Sequence, residues 1–370
     1  MSSQMIGPMD EFPLHQAPLP AAWVATSDRN FYDRCYLHAN DRTGGLAVIS
    51  GLGYYPNLGT KDAFVLVRRG DLQTAVHLGD AIDDNRLDQR VGGYRIEVLE
   101  PLRRLRVVLE ETEGIGLDLV WEGSFDVLRE QPHLLRHGAR TTLNAQRFAQ
   151  LGTWEGTLLL DGEEIAISRD RWVGTRDRSW GIRPVGEAEP KGRPADPPFE
   201  GMWWTYAPLR FDEFAVVLVV QEEPDGTRTL NDCTRIWKDG RTEQLGWPEV
   251  TVHYASGTRI PTGASIDCSV RGGRRLRLEI ESRLAVPLHL GAGYGGDADW
   301  SHGLWKGPDF TERVAYDLAD PAVAGKAMFG VVDHVARAVC EGAEGFGLFE
   351  HGSLGRHDPS GFTDWSSVAP

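Results

Sequence analysis

Arg171-Trp-Val-Gly-Thr-Arg-Asp-Arg-Ser-Trp-Gly-Ile-Arg183 sets charge beside aromatic rings in a short run with strand-like spacing. On a strand, side chains alternate, so Arg176 and Arg178 share one face while Asp177 points to the other. If Asp177 faces a barrel interior, its carboxylate must be paired there, or its pKa rises and it serves as a general acid. Arg183 or a cation from later in the chain is the expected partner. The competing reading is structural: an aspartate that ties two domains together by hydrogen bonds to backbone at a strand end.

Just beyond this run, Gly186-Glu-Ala-Glu-Pro-Lys-Gly-Arg-Pro-Ala-Asp-Pro-Pro198 is rich in Pro, Gly and charge. It reads as a linker over 186–198, dividing the chain into 26–185 and 199–370. Residues 1–25, with much Pro and little pattern, read as an extended N-terminal arm.

Both halves look all-β. Short alternating or apolar runs occur at Phe64-Val-Leu-Val-Arg68, Leu105-Arg-Val-Val-Leu109, Gly116-Leu-Asp-Leu-Val120 and Leu276-Arg-Leu-Glu-Ile280. Asp161-Gly162, Asp225-Gly226 and Asp239-Gly240 are hairpin signals. Many short strands favour an antiparallel barrel or sandwich in each half. Helical patterning is confined to Arg140–Gln150 and Asp320–Phe329.

The chain has 370 residues and a net charge of −15, which favours solubility and excludes nucleic acid as a partner. Arg103-Arg104-Leu-Arg106 and Arg271 to Arg277 lie beside alternating apolar residues, as solvated strand faces do. The four cysteines form no CxxC pair. No apolar run reaches the roughly 20 residues of a membrane helix, and the N-terminus lacks the apolar core of a signal peptide. A cytoplasmic protein is expected, without integral membrane association. Its oligomeric state is open, with a homodimer allowed.

Four further constellations bear chemistry. Tyr54, Tyr55 and Asn57, around the turn Tyr54-Tyr-Pro-Asn-Leu-Gly-Thr60, offer uncharged polar groups suited to orienting an apolar ligand. In Gly201-Met-Trp-Trp-Thr-Tyr206, Trp204 and Tyr206 share a face opposite Trp203. The glycine-rich stretch 291–307 carries Tyr294, His302 and Trp305, and fits a loop over a barrel mouth. His302 is a candidate acid or base there. In Gly345-Phe-Gly-Leu-Phe-Glu-His351, Glu350 shares a face with Leu348, marking an inward carboxylate, and His351 points away. No metal site is expected: the pair His133-Leu-Leu-Arg-His137 lacks the Glu of HExxH. Gly291, Gly293 and Gly296 match GxGxxG only by letter, so no nucleotide cofactor is expected.

The run Arg176-Asp-Arg-Ser-Trp-Gly181 resembles the Asp-x-x-Trp-Gly core of hydroxyneurosporene synthase-like proteins, the carotenoid 1,2-hydratase superfamily. The Tyr-Pro-Asn-x-Gly-Thr segment, Glu350-His351 and Gly355-Arg-His357 look like those of a bacterial branch of it. Outside the Asp-x-x-Trp-Gly core, the sequence departs from the carotenoid hydratase pattern. The resemblance covers most of the chain from about residue 25. It implies two tandem lipocalin-like antiparallel β-barrels packed together, and cofactor-independent acid/base chemistry on a small apolar or aromatic unsaturated substrate. Asp177 is then the favoured proton donor, with Glu350 and His302 behind it. Tyr54, Tyr55, Asn57, Arg176, Trp180, Trp204, Tyr206, Tyr294, Trp305 and His351 are the expected substrate-binding residues. The alternative is a non-catalytic lipocalin-like carrier of a hydrophobic small molecule.

Overall fold

The computed structural model describes residues 7–137, 140–185, 198–297 and 299–370. Most of the expected linker, residues 186–197, lies outside them. Among the described residues, strands form two antiparallel half-barrel sheets, of fourteen and nine strands. The fold is thus all-β, with the tandem lipocalin-like architecture.

Within the first sheet, the order along the main path begins Phe310–Asp317, Leu72–Ala81, Thr60–Arg69, Leu46–Tyr55, Phe31–Asn40. It continues through the Asp177 strand (Val173–Ile182) and the long strand Arg140–Leu160. The second sheet is centred on Gly201–Phe211, Ala343–Gly355 and Val332–Cys340. Phe310–Asp317 comes from late in the chain yet pairs with Leu72–Ala81.

Alternation explains why several strands have no wet face. In Phe64-Val-Leu-Val67, Val65 and Val67 enter the core of the first half-barrel. Phe64 and Leu66 point the other way, into a core shared with Trp204, Tyr206, Val217 and Leu348 of the second sheet. A third core fills the second half-barrel around Trp203, Leu218, Leu278 and Phe349. Strands buried on both sides read as continuous apolar runs, and Leu46–Tyr55 and Phe214–Glu222 are buried throughout.

Two helical expectations divide. Asp320 caps a short helix, Pro321–Ala327, accepting a hydrogen bond from the Ala322 amide. Arg140–Gln150 is not helical: it opens the 21-residue strand Arg140–Leu160. Over 140–150 that strand is paired along both edges, with Val173–Ile182 on one side and with His133–His137 and Leu128–Arg129 on the other. Ladder pairing on both sides overrides a weak helical preference. No described helix is long and apolar enough to cross a membrane. Cys233 and Cys268 are free buried thiols with sulfurs 4.0 Å apart.

Candidate active site at the junction of the two sheets

Register brings two rows of polar side chains face to face. In the first sheet, Asp177 lies between Ala149 and Tyr36 on the flanking strands. In the second, Glu350 lies between Tyr206 and Asp333. The Tyr36 hydroxyl donates to the Asp333 carboxylate and so bridges the sheets. The Trp204 indole N–H donates to Glu350. Between the rows lies a cavity of about 270 Å³. Its walls include Asp177, Glu350, Glu130, Arg147, Trp204 and Tyr206, with Met202, Leu230 and Leu348 as apolar lining.

The charged groups of this wall are mostly enclosed. Arg147 Nε donates to Glu130 Oε2 at 2.5 Å, and its guanidinium lies 4.5 Å from the centroid of the Tyr206 ring. Glu130 and Asp333 are buried. Asp177 is half-buried, and it lines the cavity.

Burial pushes the Asp177 carboxyl up to about 7. Arg147 and Arg34 oppose that shift, while Glu130 and Glu350 reinforce it. Asp333 is raised well above the carboxylate range, first by burial and then by Glu350 directly across the ladder. Glu130 is raised by burial against the pull of Arg147. His133, stacked on Trp204, is lowered to about 4 by burial and then by Arg147. Near neutral pH such a site holds carboxyl groups that can give up or take a proton, beside aromatic faces that favour positive charge.

The structure gathers Asp177, Glu350, Trp204, Tyr206 and Tyr294 on this cavity. Glu350, Trp204 and Tyr206 lie on the faces that alternation gives them, and Asp177 looks into the junction rather than into a barrel. Its neighbour Arg176 points the opposite way and donates to Gln150 Oε1 at 2.7 Å. Trp203, on the opposite face of its strand, fills the second half-barrel.

The remaining expected residues lie elsewhere. Tyr54 belongs to the first half-barrel core and donates to the Asp88 carbonyl. Tyr55 donates to Asp62 at 3.1 Å. Asn57 donates to the carbonyls of Thr26 and Asp28, both at 2.8 Å, tethering the incoming chain. Trp180 and Trp305 are 39% and 46% exposed. His351 faces the second half-barrel, against Thr205 and Tyr254.

His302 stands behind Tyr294, ring edge to ring face at 5.3 Å, and outside the cavity lining. Burial lowers it to about 4, so it is neutral at pH 7. Within 291–307, whose residue 298 lies outside the described residues, Tyr294 lines the cavity and Trp300 stacks on His77 of Leu72–Ala81. His133–His137 is a strand, not a helix.

Five wall or bridging residues escaped the sequence reading: Tyr36, Glu130, Arg147, Asp333 and Arg34. For Asp333 a signal existed, a lone carboxylate inside the apolar run Val331-Val-Asp-His-Val-Ala336. The others stand singly in ordinary strand text and meet only through long-range register.

Comparison with known proteins bears on fold and family. A Nitrosomonas europaea protein solved under the provisional name AttH superposes with a TM-score of 0.54 at 13% identity, over 92% of this chain and 98% of that one. CghA with bound Sch210972 gives a TM-score of 0.47 at 12% identity, over 89% of each chain. The first likeness shows the fold. No curated protein sequence matches. By sequence, residues 6–363 match the model of a family of unknown function, DUF8625, and the chain belongs to that family.

Proposed function

We propose that the chain is a cofactor-independent lyase or isomerase acting on a small apolar or aromatic unsaturated substrate held between the two sheets. Asp177 is the proton donor: its carboxyl protonates an alkene carbon, and the Trp204 and Tyr206 faces stabilise the developing cation. Glu350, oriented by the Trp204 indole and set against Asp333, takes the proton that leaves in the second half of the reaction. One observation carries this reading, the facing of Asp177 and Glu350 across an aromatic cavity in which Asp177 is lifted to about 7. A carrier for apolar ligands needs few ionisable groups in its cavity, and this one has Asp177, Glu130, Arg147 and Glu350 in its walls.

Native mass spectrometry of protein purified from its own host identifies a retained ligand. Incubation of that ligand with fresh protein then reads the chemistry: gain or loss of one water's mass for hydration or elimination, a new isomer of equal mass for isomerisation. Asp177→Asn is expected to remain folded by circular dichroism and to lose about 10²- to 10⁴-fold in turnover. Undiminished turnover in the folded variant removes Asp177 from the chemistry. A ligand bound and released unchanged makes the protein a carrier.

A further inference from the structure

One end of the cavity holds two guanidinium groups on the same pair of rings. Arg34 lies 5.8 Å from the Tyr32 centroid and 5.3 Å from that of Tyr294. Arg183 lies 5.8 Å from each. Both line the cavity, and Arg34 is 5% exposed. Arg34 donates to the Tyr294 hydroxyl at 3.3 Å and also interacts with the Tyr55 hydroxyl.

Among the described residues, neither arginine has a carboxylate within 4.0 Å, whereas Arg147, Arg178 and Arg228 each have one. Asp62, a carboxylate whose charge acts on Arg34, is already engaged by the Tyr55 hydroxyl and the Gly303 amide. Asp177 lines the same cavity and feels the charge of Arg34, but makes no ion pair with it.

Setting the buried Arg34 beside a second, part-exposed guanidinium is costly unless an anion completes the set. Guanidinium groups are well shaped for this, because their forked donors match a planar carboxylate or enolate. The rest of the cavity asks for an apolar body: Met202, Leu348 and Val331 share the lining.

We propose that the Arg34–Arg183 end of the cavity binds an anionic oxygen headgroup, so that the ligand is an amphipathic monoanion with its apolar body lying toward Trp204 and Asp177. The proposal names the substrate class for the reading above, and it concerns binding alone. It therefore survives or fails independently of any proton transfer by Asp177.

Titration calorimetry at neutral pH with cinnamate and cinnamyl alcohol tests it, since the two probes share a body and differ in the charged head. The intact protein is expected to bind cinnamate about tenfold or more tightly than the alcohol. Arg183→Met, at the less buried of the two positions, is expected to bring the two affinities within about twofold while leaving the alcohol's unchanged. Arg34→Met, checked for folding by circular dichroism, is expected to do the same. Equal binding of the probes by the intact protein overturns the proposal. So does a carboxylate preference that survives in both folded variants, or failure of both probes to bind.

Discussion

Asp177 titrates abnormally because its strand turns it into the junction while Arg176 and Arg178 take the other face. The raised pKa has a consequence for stability. The folded protein holds a proton on Asp177 up to about pH 7, whereas an unfolded chain releases it near 3.8. Between those values the native state binds more protons, so this group's contribution makes stability fall as pH rises. Below about pH 4 the contribution vanishes. Asp177→Asn is therefore expected to be the more stable protein at pH 8, by about 1–2 kcal/mol after allowing for water in the cavity, with the gap closing toward pH 4. Urea denaturation at the two pH values checks this. Arg147 behaves oppositely. Its removal leaves Glu130 buried without its cation, and Arg147→Met is expected to cost about 3–5 kcal/mol in the same assay.

At the scale of single strands, the Asp177 strand is held by both neighbours and tolerates no bulk at Gly174. A methyl group there would sit 1.9 Å from the His38 carbonyl oxygen and 2.5 Å from Trp154 Nε1. Those two atoms are hydrogen-bonded to each other at 3.0 Å. Gly174→Ala is expected to destabilise the protein by about 1–3 kcal/mol, read from the urea midpoint. Strands are also where the sequence was most and least legible. Alternation correctly paired Glu350 with Leu348 and Trp204 with Tyr206. It could not say which of two buried faces meets a half-barrel core and which meets the junction. Tyr54, chosen for its hydroxyl beside a turn, and His351, named through the family resemblance, are buried on half-barrel faces instead. Arg140–Gln150 carried a helical pattern that pairing on both edges overrides. Glu130 and Arg147 have no local signature at all, because their partnership spans two strand neighbourhoods.

For the whole molecule, the decisive feature is the core shared between the two sheets. It draws Tyr36, Phe64 and Leu66 from the first sheet against Trp204, Tyr206 and Leu348 from the second. The late strand Phe310–Asp317 adds a further tie, since it completes the first sheet's edge. The protein is expected to unfold in one calorimetric transition. A fragment ending at residue 185 is expected not to fold alone, because it lacks that strand and exposes the apolar junction face. Two well-separated transitions would contradict this. The same packing creates the raised acid, since Asp177 gains its low-water setting and its neighbour Glu350 only when the sheets meet. A carbon-NMR titration of the intact protein, labelled at aspartate side-chain carboxyls, measures that acid directly, with Asp177→Asn assigning its signal. The structure predicts a midpoint near 7 for Asp177; a midpoint near the ordinary 3.8 would contradict a proton-donating acid at the junction.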